Sequence, residues 1–242
     1  MPLDKNPSSR DAIPTGQIPE QEISQLLLRA CHDLRTPLRS IGAHAELLLR
    51  DLPAGGDSGL EERLGFIVDG SRKMNLLVDG LAAYSIALQT DARMFQTVPL
   101  EVMLRTALSG LAPMLSGCGA EVSYDSLPVV QGSPDRLIQL FENLIRNSVN
   151  HRGPAAPRIH IGAEAHANEW LFGLRDNGPG VDADDVEAIF KPFERLDATH
   201  PGPGLGLAVC RAIVSGHGGR IWCESKAGAG AAFFFTLPKV VG

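Results

Sequence analysis

The stretch that decides the fold runs from residue 30 to residue 52, ACHDLRTPLRSIGAHAELLLRDL. Its apolar residues recur at steps of three and four, and the same spacing extends back to Ile23. Such a stripe, held over four heptads, predicts a long amphipathic helix. The turn-rich segment 52–59 leads into a second stripe. The two stripes comprise Ile23, Leu27, Ala30, Leu34, Leu38, Ile41, Ala45, Leu48 and Leu52, then Leu60, Leu64, Ile67, Ser71, Met74, Leu77, Leu81, Tyr84 and Leu88.

Two long helices joined by a short loop form an antiparallel hairpin. A single hairpin cannot bury both stripes well, whereas two copies side by side bury them in a four-helix bundle. We therefore expect residues 20–91 to form a helical hairpin that assembles as a homodimer.

The remainder of the chain mixes helix and strand patterns. We expect residues 92–242 to form an α/β two-layer sandwich, with helices over one face of the sheet. Residues 1–19 hold four prolines among polar residues and are expected to be a flexible tail. Helices are predicted at 98–117, 135–150 and 205–215, and strands at 120–124, 129–131, 158–163, 169–175, 220–225 and 232–237.

Composition excludes several classes of protein. The formal net charge of -6 argues against a nucleic-acid partner or an anionic membrane surface, which require basic patches. No apolar run approaches the roughly 18 residues of a membrane span, and the N-terminus lacks the apolar core of a secretory signal. The cysteines form no CxxC pair, which predicts reduced thiols, a cytoplasmic location and no zinc site. They are Cys31, Cys118, Cys210 and Cys223.

His32 is the first candidate for chemistry. It lies two residues from Ala30 and two from Leu34, so at about 100° per residue it points away from the apolar stripe. A solvated surface histidine is the simpler interpretation. A neutral imidazole is also a nucleophile toward phosphorus, and the Asp33 carboxylate would fix its tautomer and take its proton if the rotamer allows contact. Pro37 removes a helical hydrogen bond one turn later, which predicts a bend.

Three asparagines, Asn143, Asn147 and Asn150, share one face of the helix predicted at 135–150. A solvated polar face explains them, and taken alone this interpretation is favoured. The functional alternative is a Mg²⁺-nucleotide site, because Mg²⁺ prefers oxygen ligands and phosphates supply the negative charge.

Two glycine-rich segments follow. Asp176 opens the turn DNGPG, in which Gly178 and Gly180 allow close approach of a flat ligand and the carboxylate can accept from an exocyclic amine. A surface turn explains the same residues. The second segment, GPGLGLA at 202–208, begins a helix, where free backbone N–H groups favour phosphate. It matches neither a P-loop nor a Rossmann loop.

Between these segments lie Phe190 and Phe193 in the stretch IFKPF. Phenylalanines at this spacing are more often core residues, and the alternative is that they anchor a mobile loop over a nucleotide.

The order of these motifs carries a resemblance. HDLRTPL, FENLIRNSVN, DNGPG, IFKPF and GPGLGLA resemble the H, N, G1, F and G2 boxes of two-component sensor histidine kinases, over roughly residues 20–240. The stretch GGRIWCES at 218–225 is similar to the phytochrome branch. The resemblance implies a Bergerat ATP-binding fold, with ATP and Mg²⁺ as cofactors. Its partners would be a response-regulator receiver domain and a second copy of the chain.

The resemblance also implies roles for single residues. His32 would accept the phosphoryl group, Asp33 would be its base, and Thr36 would position water for dephosphorylating the regulator. Metal ligands would be Asn147 and Asn143. The nucleotide site would comprise Asn143, Asn147, Asn150, Asp176, Gly178, Gly180, Phe190, Phe193, Arg195, Gly202, Gly204, Leu205 and Gly206.

The sequence departs from the family pattern in places. Asn150 stands where a lysine is usual, with Arg146 or Arg195 available to compensate, and the segment between Phe193 and Gly202 is short. Residues 1–19 are too short for a folded sensor domain, so we expect input from a partner protein or from another part of a longer chain. We expect a hinge at 91–97.

Two other functions are compatible with some of these motifs. A degenerate ATP site would leave a phosphotransferase scaffold or a response-regulator phosphatase. A gyrase-like ATP hydrolase is disfavoured, because such enzymes carry glutamate where this chain has Asn143.

Overall fold

The computed structural model describes residues 20–52, 58–196, 202–226 and 228–239. Helix α1 (Glu20–Arg50) and helix α2 (Ser58–Leu88) form the predicted hairpin. The predicted tail at 1–19, most of the turn at 52–59 and the short segment at 197–201 lie outside the described residues.

The hairpin is held by an apolar layer and by polar contacts, one of them an ion pair between Arg72 and Glu46 at 2.7 Å. Arg35 donates from Nε and Nη2 to Asp79 Oδ1, at 3.0 and 2.7 Å. The Ser71 hydroxyl is buried and donates to the Leu38 carbonyl at 2.7 Å. Close approach at this point requires Gly42, because a Cβ there would lie 2.8 Å from Ser71 Oγ. The buried apolar residues between the helices are Cys31, Leu38, Ala45, Leu64, Val68 and Val78.

A second set of apolar side chains lies outside this layer. They form an exposed apolar stripe that recurs every seven residues on each helix, with Leu77 one turn beyond Met74. Each residue is 41% or more exposed, so one hairpin leaves much of its heptad pattern uncovered. The exposed apolar stripe consists of Leu34, Ile41 and Leu48 of α1 and Leu60, Ile67, Met74 and Leu77 of α2.

The sandwich follows a short 3-10 turn at Ala92–Met94. Its elements are β1 (Gln96–Pro99), α3 (Leu100–Cys118), β2 (Glu121–Tyr124), β3 (Val129–Gly132), α4 (Pro134–Asn150), β4 (Arg158–Ala165), β5 (Glu169–Asp176), a 3-10 turn (Ala188–Phe190), α5 (Gly206–Gly216), β6 (Ile221–Ser225) and β7 (Ala231–Pro238). The predicted helices and strands are present, with shifted ends.

Five strands form one sheet in the order β2-β4-β5-β7-β6. All neighbours are antiparallel except β2 and β4, which run parallel. Inward side chains alternate along these strands and pack against the three helices. Phe172 stacks on Phe235 with ring centroids 4.7 Å apart, and Phe141 of α4 meets Phe235 edge-on at 6.4 Å. This layer positions the end of β5 beside the end of α4.

The linker at 91–97, expected to be a hinge, is partly folded. Its last residues belong to β1, which pairs antiparallel with β3 in a two-stranded ribbon that includes Thr97. Its role as a hinge stays a prediction. Phe95 stacks on His217 at 4.5 Å and 10° between ring planes. Thr90 packs against Gly216, where a Cβ would lie 2.6 Å from the threonine. These contacts pack the segment that follows α2 against the sandwich.

His217 is the buried connector at this junction. Its Nδ1 lies 2.7 Å from the Ile213 carbonyl, and its Nε2 accepts from the Ser133 backbone N–H at 3.0 Å. Burial lowers the pKa of His217, and the nearby Arg136 adds to the effect. A neutral ring fits both contacts, because only one ring nitrogen needs a proton.

Over the described ranges, no helix has the length and apolarity needed to cross a membrane.

Candidate functional site

His32 lies on the open surface of α1, away from the layer between the helices, as its position in the stripe predicted. Its side chain is 79% exposed. Nδ1 of the ring lies 3.3 Å from Asp33 Oδ1, so the neighbouring carboxylate does reach the imidazole. This contact leaves Nε2 turned away from Asp33 as the second ring nitrogen. Thr36, one turn further on, is also exposed.

The asparagine face of α4 lies between the buried face and the exposed face of that helix. Asn143, Asn147 and Asn150 are all half-buried. Asn143 lies next to the Cys210 thiol of α5, which is fully buried, donates to the Leu140 carbonyl at 3.9 Å and has a pKa raised by burial. Three neutral amides at this spacing offer oxygen donors of the kind Mg²⁺ accepts. Among the described residues, no cluster of three His, Cys, Asp or Glu side chains provides a different metal site.

Asp176 ends β5, and its carboxylate is held by three donors. Oδ1 accepts from the backbone N–H groups of Gly178 at 2.9 Å and Ala231 at 3.0 Å. Oδ2 accepts from the Ser148 hydroxyl of α4 at 2.8 Å. Because α4, the turn after β5 and the start of β7 all contribute a donor, the carboxylate has a fixed orientation at their junction.

Glycines allow the chain to pass closely around this carboxylate. Gly180 has φ +77, and a Cβ there would lie 2.4 Å from the Lys226 carbonyl oxygen. Gly230 has φ +85, and its Cβ would lie 2.1 Å from the Asp176 carbonyl oxygen. A Cβ on Gly178 would lie 3.1 Å from the His151 carbonyl oxygen at the end of α4. Other residue types are therefore excluded for steric reasons at 180 and 230.

The two phenylalanines have different environments. Phe190 is 1% exposed, meets Phe233 edge-on at 6.4 Å and lies under the Arg211 guanidinium at 4.7 Å. It therefore anchors its segment in the core. Phe193 is 56% exposed and has φ +65, a strained value for a residue with a Cβ.

The second glycine-rich segment, residues 202–206, is called the glycine loop and lies against Phe193. Phe193 donates its backbone N–H to the Gly204 carbonyl at 2.9 Å, and Arg195 Cγ lies 3.0 Å from where a Gly204 Cβ would stand. Gly202 and Gly204 have φ of +129 and +71. The loop thus needs glycine at both positions.

Helix α5 begins at Gly206, with Leu205 as its N-cap. The cap makes no side-chain hydrogen bond, so the first backbone N–H groups of α5 are not capped in that way. Leu205 itself is 1% exposed and packs against Gly80 of α2. The predicted nucleotide residues therefore fall into two groups, one around Asp176 and the end of α4 and one around the start of α5, joined through the α4–α5 contact of Asn143 with Cys210.

Ser148 and Gly230 were missed by the sequence interpretation. Ser148 had a signal, because it occupies an apolar position of the α4 stripe after Leu137, Phe141 and Leu144. Gly230 had none, since glycine is common in a turn between two strands.

Comparison with known families matches both halves of the chain. Residues 22–87 match the His Kinase A (phospho-acceptor) domain, and residues 132–241 match the family described as Histidine kinase-, DNA gyrase B-, and HSP90-like ATPase. The chain belongs to the sensor histidine kinase family. The fold predicted from the resemblance, a helical hairpin followed by a Bergerat sandwich, is confirmed.

Several members of the family are similar along most of the chain. Cyanobacterial phytochrome A of Nostoc sp. is 41% identical over 220 residues, and the phytochrome-like protein Cph1 of Synechocystis sp. is 33% identical over 211. These alignments cover 90% and 86% of this chain but 28% of each relative. The chain thus spans less than a third of the length of either phytochrome.

Two solved structures of family members share the architecture. Full-length ShkA, in complex with AMPPNP, superposes with a TM-score of 0.69 at 26% identity, covering 89% of this chain and 46% of ShkA. The histidine kinase ThkA, in complex with the response regulator TrrA, superposes with a TM-score of 0.61 at 22% identity, covering 92% of this chain and 64% of ThkA. The ThkA likeness concerns the fold.

Proposed function

We propose that this chain is an ATP-dependent protein-histidine kinase that phosphorylates His32. The observation that carries the proposal is an exposed imidazole with a carboxylate at one nitrogen, in the same chain as a glycine-lined turn around Asp176. Asp33 lies at Nδ1, which orients the ring so that Nε2 holds the free lone pair. Nε2 attacks the γ-phosphorus, the new P–N bond forms, and the bond to the ADP oxygen breaks. The Nδ1 proton is shared with Asp33.

ATP is assigned to the space around Asp176 and the start of α5. Asp176 Oδ2 accepts from the adenine amine, while Gly178 and Gly180 form the turn beside the ring. Uncapped N–H groups at Gly206, with the loop glycines at 202 and 204, bind phosphate. Phe193 and Arg195 border this loop. Asn150 is the last residue of α4 and precedes His151, whose carbonyl oxygen faces Gly178.

Mg²⁺ is assigned to the amide oxygens of Asn147 and Asn143. When bound, it neutralises charge on the phosphates during transfer. The protein's own contribution is positioning, because α4 holds both amides on one face and the Cys210 thiol hydrogen-bonds α5 to the Leu140 carbonyl of α4.

The phosphoryl group then passes from His32 to an aspartate of a response-regulator receiver domain. In a separate reaction, Thr36 positions the water that hydrolyses the regulator's aspartyl phosphate to inorganic phosphate. The hairpin pairs with a second copy through the exposed apolar stripe. Input reaches it through a partner protein or another part of a longer chain. We place the hairpin at 20–91, the ATP-binding domain at 92–242 and the enzyme in the cytoplasm.

Autophosphorylation with ATP labelled in the γ-phosphate tests the proposal. Wild-type protein should incorporate label, and His32→Ala should incorporate none. The matched control is His44→Ala, since His44 is also an exposed histidine of α1. Labelling of His32→Ala at the wild-type level would show that the acceptor is wrong.

Nucleotide binding tests the alternative that the ATP site is degenerate, which the asparagine at position 150 favours. Calorimetry with Mg-ATP should give measurable binding to the wild type and none to Asp176→Asn. Absence of binding to the wild type would support a phosphotransferase or phosphatase scaffold instead.

A further inference from the structure

The buried face of α4 carries one hydroxyl where its pattern calls for an apolar side chain. Leu137, Phe141 and Leu144 occupy the preceding positions of this stripe, and Ser148 continues it at the same spacing. Ser148 is 3% exposed. A buried hydroxyl without a partner costs free energy, so serine at this position needs a hydrogen-bond acceptor within the fold.

That acceptor is Asp176 Oδ2, 2.8 Å from Ser148 Oγ. A carboxylate offers about four acceptor positions, two on each oxygen. The backbone N–H groups of Gly178 and Ala231 take both positions on Oδ1. Ser148 takes one on Oδ2, which leaves a single acceptor position on the whole carboxylate.

We propose that Ser148 is a positioning residue that sets the base preference of the nucleotide site. The inference rests on the proposed function, in which Asp176 accepts from the base. With one position left, Asp176 suits a base that presents a single exocyclic N–H, as adenine does through its amine. Guanine presents a carbonyl oxygen at the corresponding ring position, and an oxygen facing this carboxylate has no proton to share.

Loss of the Ser148 hydroxyl would open a second position on Oδ2. The carboxylate would then accept from a water molecule and lose its fixed orientation toward the base. Adenine binding weakens as a result, and the disadvantage of guanine shrinks, because a water molecule can bridge the carboxylate and the guanine oxygen.

Calorimetric titration with Mg-ATP and Mg-GTP tests this role. Ser148→Thr keeps the hydroxyl. Ser148→Val has the shape of the threonine variant but no hydroxyl. We expect Ser148→Thr to bind ATP like the wild type and Ser148→Val and Ser148→Ala to bind it about tenfold more weakly, as loss of a hydrogen bond to a charged group predicts. GTP affinity should change less, so the ATP-to-GTP ratio should fall.

Ser71→Ala is the matched control. Ser71 is also a buried helical serine that donates one hydrogen bond, to the Leu38 carbonyl of the hairpin. The Ser71→Ala variant should lose stability, but its ratio of ATP affinity to GTP affinity should equal that of the wild type. This result would separate a general folding effect from an effect at the nucleotide site.

The outcomes distinguish this inference from the proposed function. Equal ATP affinity and equal ATP-to-GTP ratios for the Thr and Val variants would overturn the role of Ser148 while the ATP site stands. Wild-type protein that binds no ATP would overturn the proposed function and the inference with it. If Ser148→Val fails to fold, the ratio of ATP affinity to GTP affinity is compared between Ser148→Ala and Ser148→Thr instead.

Discussion

Leu205 of the glycine loop lies directly against Gly80 of α2. A Cβ on Gly80 would stand 2.9 Å from Leu205 Cδ1 and 3.0 Å from Pro203 Cγ. The neighbouring residue, Asp79, is the partner of Arg35, which follows His32 by three residues. The loop assigned to phosphate thus packs on the hairpin at the level of the phospho-acceptor candidate, and a glycine makes this approach possible.

Gly80→Val should displace the loop from α2. Hydrogen exchange of the backbone amides of Gly204, Leu205 and Gly206 should become faster, because the added side chain overlaps Leu205. Gly70→Val is the control, since no described atom lies within 4 Å of a Cβ at that position of the same helix. Equal exchange in the two variants would contradict the importance of the contact.

Gly230→Ala should unfold the turn around Asp176. Both Gly230 and Gly228 have positive φ, so alanine costs backbone strain at either position. Only at 230 does the Cβ meet the Asp176 carbonyl oxygen, whereas at 228 it enters space free of described atoms. We expect Gly230→Ala to lose about 1–3 kcal/mol more unfolding free energy than Gly228→Ala, the usual cost of overpacking, and to lose ATP binding. Denaturant titration and calorimetry measure both, and indistinguishable variants would refute the prediction.

Acid should destabilise the junction at His217. Burial holds the pKa of His217 below its ordinary value of 6.5, so the folded ring stays neutral where the unfolded ring takes up a proton. The unfolded state then binds more protons, and stability is fully present above pH 6.5 and falls as the pH drops below it. Denaturant midpoints between pH 7.5 and pH 5 check this.

The control for this pH dependence is His217→Gln, which does not titrate. Its stability should change less between pH 7.5 and pH 5 than that of the wild type, because other groups contribute equally to both proteins. Parallel curves would exclude His217 as the source.

Ile67→Glu should dissociate the proposed homodimer. Ile67 lies in the exposed apolar stripe, whereas its neighbour Phe66 is 68% exposed and lies off that stripe. A charge buried in an interface costs several kcal/mol, so light scattering should report half the mass for Ile67→Glu and an unchanged mass for Phe66→Glu. The same mass for both variants would place the interface elsewhere.

The heptads and the order of the motifs predicted most of the fold. Periodicity located both helices of the hairpin and α4, because their apolar faces are continuous. It missed the β1–β3 ribbon, since Gln96–Pro99 is short, ends in proline and gains its partner 33 residues later in sequence. The place of β7 between β5 and β6 was also unpredicted, because long-range strand order leaves no local pattern.

At the site, the sequence identified Asp176 but not what holds it. Two of the three donors are backbone N–H groups, which have no residue signature. The third, Ser148, was visible only as a polar interruption of an apolar stripe, and its partner depends on how α4 lies against the sheet. The roles assigned to all single residues of the site, from His32 to Gly206, stay predictions.

The Ser71 contact has a mechanical consequence for α1. Pro37 has no N–H, so the Asp33 carbonyl lacks its helical partner, while just beyond it the Leu38 carbonyl is held to α2 by the Ser71 hydroxyl. A weakened turn therefore precedes a clamped one. We expect the segment bearing His32 to tilt most easily about the turn between Asp33 and Leu38, with the Arg35–Asp79 ion pair opposing the tilt.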